Sequence, residues 1–501
     1  MSRARVRFYA LISSALTLGA SLIFSIAVTR KLPLLDLGYL NVFSGAIYFG
    51  LVPVGISSFM SPRLAAKYRH VQVTVLLSSM LLGLAGMAIA GIFLFLIHSE
   101  IPARYFYFIL LLALLSVFSS SLNSPFSGGL TVLNRSRMVF TSIITSLVKL
   151  VAIFYIFYSH WSLLSVLVST FVITLSGVVY SGISLVPYIQ SFGKIRTTLK
   201  EFLSGSWIAM FGYASSNLRS VDTFMIAAIG GILDNAGWQV LNIIGSIYAF
   251  RGMLINLTYG ELLQLGSYAK RAYFDFLLLM FTTADLAIFV VAFEPNVIEF
   301  LRPENPYLTG ELFLPVVLWA GTNIINSLSQ YISAAMQGTD RVDMEKELTI
   351  GTYWKSAIFY ANLAEFVMTV TYIALIIPFV FLAKAAQLQF YALDGVILSS
   401  AVSLIIAIVI RAKKFPGISE FLPARSIMVD FVVPLAVTAG LAYVIRVPLI
   451  AAFPPSTSII TGIVNLLILL ISVSAIYLGV SLAISKNIRK IAGAVLKRIK
   501  R

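Results

Sequence analysis

The sequence contains no cysteine and only three histidines. Disulfides, thiol chemistry and cysteine-based metal or cluster sites are therefore excluded. His70, His98 and His160 are too scattered to suggest a metal site, and no cofactor is expected. Charge is scarce as well: Asp, Glu, Lys and Arg make up 11% of the chain. There is no glycine-rich phosphate loop, so no ATPase is expected within it.

What remains is apolar. Of 501 residues, 59% are hydrophobic, and the mean hydropathy is +0.95. Such a composition leaves too little polar surface for a soluble domain and indicates an all-α polytopic membrane protein with almost no extramembrane mass. A formal charge of +16 would suggest nucleic acid as the partner of a soluble protein. In a membrane protein it reads instead as basic loops on the cytoplasmic face, and no nucleic-acid partner is expected.

Apolar runs of about 20 residues, the length that crosses a bilayer, recur fourteen times. They lie near 8–29, 38–59, 73–97, 104–132, 138–158, 162–187, 204–229, 237–258, 273–293, 312–336, 356–382, 393–410, 427–449 and 457–484. The fourth and eleventh are long. Most of the 36 Lys and Arg fall in alternate loops, which places both termini in the cytoplasm of a multi-pass plasma-membrane protein. A missed or false span would invert that bias from its position onward.

The stretch from Ser204 to Trp238 organises the rest. It carries Arg219 and Asp222 in the middle of a run long enough to span. Charges at that depth are unfavourable by about 2.5–3.5 kcal/mol each on insertion scales, so they face protein or a watery cavity. The turn that follows, Leu233-Asp234-x-x-Gly237-Trp238 and then Gly245-Ser246-Ile247-Tyr248, echoes Leu35-Asp36-x-Gly38-Tyr39 and Gly45-Ala46-Ile47-Tyr48. The fourth span ends at Asn134-Arg135 and the tenth at Thr339-Asp340-Arg341. Six spans separate the copies, and an even number preserves orientation, so the repeats are parallel. The expected organisation is a first lobe over 1–188, an amphipathic linker over 189–203 and a second lobe over 204–411. Two further spans occupy 412–484, and a basic cytoplasmic tail 485–501. In the tail, Ile488, Ile491, Val495 and Ile499 share one helical face. It reads as an anchor on anionic membrane lipid or as a dock for a partner enzyme.

Three stretches carry a family resemblance. They are Leu11 to Tyr68 with its Thr29-Arg30, Asp36-x-Gly38-Tyr39 and Pro62-Arg63; Asp222 to Ala249; and the small-residue tenth span ending Gly338-Thr339-Asp340-Arg341. In these the chain resembles the multidrug/oligosaccharidyl-lipid/polysaccharide exporter superfamily, and within it the Wzx-like polysaccharide-transporter branch. The resemblance implies two six-helix lobes around a central cavity, with two C-terminal helices added. It implies a flippase that moves a polyprenyl-phosphate- or pyrophosphate-linked oligosaccharide from the inner to the outer leaflet by alternating access. The product would serve surface polysaccharide or glycoprotein assembly, beside a glycan polymerase or oligosaccharyltransferase. A cation-coupled drug or metabolite exporter of the same superfamily is the alternative. An integral-membrane transferase or ligase is a third reading, opposed by the short outer loops.

The intramembrane charges are the candidate site. Arg219, Lys149 and Arg251 suit contact with a lipid-linked phosphate, because a phosphate crossing a bilayer needs counter-charge. Arg219 also has the i,i+3 spacing to pair with Asp222 on one helix face, and Arg251 lies near enough to its span end to snorkel. Asp285 and Glu365 are single acids in apolar spans, suited to ion coupling or to pairing with those cations. Pro53, Pro125, Pro315, Pro378 and Pro434 fall within spans and are expected to distort them.

Overall fold

The computed structural model describes residues 3–32, 34–96, 98, 102–158, 162–190, 195–218, 222, 226, 229, 237–238, 240–265, 269–302, 308–340, 342, 353–354, 356–415 and 417–499. The protein is an all-α polytopic membrane protein. Among the described residues, ten helices are long and apolar enough to cross a membrane, eleven if one bent pair counts as a single span. A chain in lipid must satisfy its backbone polar groups within itself, and the helix does so.

In chain order the principal helices are α1 (Arg3–Lys31), α2 (Leu34–Gly50), α3 (Gly55–Tyr68), α4 (Val73–Leu96), α5 (Ala103–Leu133), α6 (Arg135–Tyr158), α7 (Ser162–Leu185) and α8 (Ile195–Leu218). They continue as α9 (Phe250–Leu265), α10 (Ala269–Ala292), α11 (Glu294–Leu301), α12 (Phe313–Thr339), α13 (Ala357–Ala385) and α14 (Tyr391–Lys414). The last three are α15 (Val433–Ala452), α16 (Ile459–Ile484) and α17 (Lys486–Ile499). Eleven of the fourteen expected spans meet the length and apolarity test when α2 and α3 are joined. The other three positions are occupied by α1, α8 and α12, of 29, 24 and 27 residues.

Departures from the expected boundaries have local causes. The second span breaks at the turn Leu51–Val54, and its halves meet at 49°. Pro53 sits in that turn and has no N–H to continue the helix. The long fourth span is α5, whose 31 residues rise about 46 Å at 1.5 Å each, well beyond a 30 Å hydrocarbon core. The thirteenth span contains a π-helical turn, Met428–Val432, directly before Pro434 at the start of α15. From Ile195 the expected linker forms the first turns of α8 rather than a separate helix. The extended chain among the described residues is a two-residue parallel pairing, Val71↔Ile189 and Gln72↔Gln190.

The chain divides into two compact units. The first comprises 1–222, 243–267 and 333–370. Its main core joins α2, α4, α5 and α7 through Phe43, Leu94, Ile109, Ala113, Leu163 and Leu167. Glycines set its closest helix approach. A Cβ on Gly86 of α4 would stand 2.1 Å from the Gly50 carbonyl oxygen and 3.0 Å from Val117. The second unit comprises 223–242, 268–332 and 371–501. It buries Phe276, Phe293, Phe300, Leu393, Leu469 and Val473.

The Gly86 crossing gives a direct stability test. Gly86→Ala drives a methyl into backbone and is expected to destabilise by about 1–3 kcal/mol, the range for overpacking. Gly91→Ala on the same helix meets only Leu114, at 3.9 Å, and is expected to be neutral. The check is the thermal midpoint of each purified variant; equal midpoints would contradict the packing.

Candidate functional site

Lys149 is the intramembrane charge with the clearest setting. On α1, Ser13, Thr17 and Ser21 recur every four residues and so lie on one face. That face meets α6 in a ladder of hydroxyls. Ser13 Oγ donates to the Val139 carbonyl (3.4 Å), and Thr17 Oγ1 and Ser146 Oγ lie 2.9 Å apart. Lys149 Nζ then donates to Ser21 Oγ at 3.0 Å. Its ammonium also stands 5.9 Å from the Phe24 ring centre. Among the described residues no carboxylate pairs with Lys149. Small hydroxyls thus bring the two helices close and leave one ammonium held by a neutral oxygen and a ring face.

Arg251 is carried by α9, which, with the short helix Ser246–Ala249 before it, packs against α1 in the same unit. Its guanidinium lies 5.2 Å over the Tyr248 ring. Lys149 and Arg251 are therefore carried on two helices that both pack on α1. Glu365 lies on α13 and is half-buried. The first part of α13 packs on α8: Phe211 and Phe366 meet edge to face at 5.4 Å, and Thr369 Oγ1 donates to the Ser215 carbonyl at 3.2 Å. Asp222 is helical and half-buried. Arg219, and with it the expected Arg219–Asp222 pair, lies outside the described residues.

In the second unit, Asp285 is 8% exposed and receives a hydrogen bond from Ser474 of α16. The same unit holds an apolar cavity of about 190 Å³ between α10, α12 and α15, with Arg446 the charged residue in its wall. Nearby, at the start of α11, Glu294 Oε1 accepts the Gly310 N–H at 2.9 Å. Burial pushes the Glu294 carboxyl above its ordinary pKa, opposed by that N–H and by Arg446.

Two further arginines were not among the expected site residues. Arg63 is 2% exposed, and its guanidinium donates to the Gln337 and Asp340 carbonyls, 2.7 Å each. Arg135 donates to the Gly260 carbonyl (2.8 Å) and Gln264 Oε1 (2.7 Å), with Glu261 Oε1 at 3.4 Å. Both reach carbonyls in the C-terminal part of another helix, near the negative end of the helix dipole. A planar fork of donors suits two such oxygens at once. Beside them, Glu201 of α8 accepts Lys67 Nζ (2.9 Å) and the Tyr68 hydroxyl (2.8 Å). Arg63 and Arg135 stand at the span-ending motifs Pro62-Arg63 and Asn134-Arg135, but nothing local reveals targets more than a hundred residues away.

Arg63→Ala removes both donors from the end of α12. The expected loss is about 1.5–3 kcal/mol for each charge-assisted hydrogen bond, with Arg63→Lys recovering part of it. Unfolding of the purified variants measures this, and an unchanged Arg63→Ala midpoint would contradict the assignment.

No protein-family model matches the sequence, and no curated protein sequence matches it. Solved structures do match. A MATE protein in complex with MaL6 superposes with a TM-score of 0.60 at 14% identity, covering 83% of this chain and 96% of that one. A superfamily transporter from Pyrococcus furiosus, described as having a binding pocket of reverse polarity that suggests a different function, gives 0.59 at 16%, covering 82% and 95%. The Vibrio cholerae MATE transporter VcmN, solved as a point mutant, gives 0.56 at 13%, covering 83% and 97%. At these identities the likeness establishes the fold, and this all-α membrane chain has the fold of the solved MATE transporters.

Proposed function

We propose that this chain is an exporter of the multidrug/oligosaccharidyl-lipid/polysaccharide superfamily, not an enzyme. Its cargo is a polyprenyl-phosphate- or pyrophosphate-linked oligosaccharide, moved from the cytoplasmic to the outer leaflet of the plasma membrane. The observation that carries the anionic cargo is Lys149. An intramembrane ammonium without a carboxylate partner among the described residues offers counter-charge to a phosphate and repels a cationic drug. Arg251, on a helix that also packs on α1, adds to the same sign, and Arg219 is proposed for the same role from its sequence position. Asp222, Asp285 and Glu365 serve as charge partners or coupling acids. The shared fold supports export as such, and the partners follow from the cargo: membrane lipid, and a glycan polymerase or oligosaccharyltransferase that uses the product outside.

The two arginine clasps fit alternating access. Under the sequence repeat, spans two and eight are equivalent, as are four and ten. Arg63, at the end of span two, holds span ten; Arg135, at the end of span four, holds span eight. The two-fold relation between copies exchanges these pairs. On the expected topology these ends face the cytoplasm, so the clasps close the inner side of the pathway and must open for loading.

Cation-coupled drug export is the second reading, supported by the MATE neighbours and by the buried acid Asp285. The sign of the cavity separates the two. Lys149→Gln is expected to weaken retention of polyprenyl phosphate by purified protein roughly ten- to hundredfold, the equivalent of one charge-assisted contact, and Lys149→Arg to preserve it. Retention of polyprenyl phosphate unchanged by Lys149→Gln, together with tight binding of a cationic dye, would favour drug export.

A further inference from the structure

We propose that Asp285 is a proton-carrying site that latches α10 to α16. This rests on the export reading and names the proton as the ion that drives it. Asp285 is 8% exposed, with Oδ2 at 2.5 Å from Ser474 Oγ. Its other oxygen, Oδ1, is buried and has no hydrogen-bond partner among the described residues. The seam around it is dry: Phe281 and Tyr477 stack at 4.3 Å, and Leu469 and Val473 of α16 are fully buried.

Among the described residues, the groups on the helices packed against α10 give Asp285 no ion-pair partner. α16 carries one titratable residue, Tyr477, which lies within electrostatic reach of Asp285. α12 carries Tyr331, whose hydroxyl donates to the Ala272 carbonyl. α15 carries Tyr443 and Arg446, and Arg446 lies 4.3 Å over the Tyr443 ring. Asp430, in the π-helical turn, is taken by Tyr273, Ser485 and Asn487. On α11, Glu294 accepts the Gly310 N–H and Glu299 is half-buried; Glu420, in the short helix Ile418–Phe421, is exposed.

A bare carboxylate oxygen in such a seam is strongly unfavourable unless the charge is paired or removed. A metal cation would need several oxygen ligands, and two side chains supply too few. A proton needs none beyond the carboxyl itself. With the proton bound at Oδ1, Oδ2 still accepts from Ser474 Oγ and the seam, now uncharged, stays closed. Released, it leaves a charge that must meet water, and the contact with α16 loosens. Proton occupancy and helix contact are thus linked.

The chain's lack of cysteine makes a clean test. A single cysteine at Val473, fully buried, is labelled with maleimide in purified protein across a pH series, alongside Ile460→Cys, which is 78% exposed. The ratio of the two rates cancels the thiol's own ionisation. The ratio is expected to rise roughly tenfold with pH as one proton leaves, and Asp285→Asn to hold it flat at the closed value. Ser474→Ala, which leaves the acid in place, is expected to move the profile along the pH axis. A flat ratio with Asp285 present, or an equal rise in Asp285→Asn, overturns the proposal. So does an unmoved Ser474→Ala profile, or a response to sodium at fixed pH. No cargo enters this assay, so its failure leaves the Lys149 test of the export reading untouched.

Discussion

Everything in this chain answers to the requirement that polar groups inside a membrane find partners. Helices satisfy their own backbones except at their ends, and it is near the ends that Arg63, buried, and Arg135, half-buried, act. Arg63 holds two carbonyls at the close of α12, and Arg135 holds a carbonyl, an amide oxygen and a carboxylate at the close of α9. Helix ends that would otherwise need water become joints between distant parts of one compact unit. Joints built on a few directed hydrogen bonds open and close as discrete states, unlike a continuous apolar core.

The interior charges divide into two kinds. Arg63, Arg135 and Asp430 are surrounded by partners and stabilise the structure that holds them. Lys149 and Asp285 are each engaged by a single serine hydroxyl. A charge with one neutral partner contributes little to stability and is better suited to a transient ligand. In the proposed account Lys149 meets an anion and Asp285 a proton, in separate units of the chain. Cargo and coupling ion then need not compete for one group.

The span positions were legible because apolar length is a strong local signal, and α1 through α16, the short α11 apart, overlap the runs. Boundaries were less so. The apolar run of the seventh span starts at Ser204, yet α8 starts at Ile195. Thr198, Glu201 and Phe202 pack and hydrogen-bond onto Gln72, Tyr68 and the α3 core, and tertiary contact extends the helix. Lys149 was legible as a lysine in mid-span, but its partner Ser21 lies 128 residues away. Arg63 and Arg135 were legible only as span-ending basic residues, which the inside-positive rule explains without any contact. Periodicity and charge bias report local surroundings, whereas these clasps depend on helices that meet only after folding.

The most direct test of the account is the sidedness of lipid-linked sugars in cells lacking this protein, read on inverted membrane vesicles. The account predicts that one polyprenyl-linked oligosaccharide accumulates on the cytoplasmic face and is cleared when the protein is restored. No accumulation, with new sensitivity to cationic compounds, would contradict it, and accumulation on the outer face would place the protein after translocation.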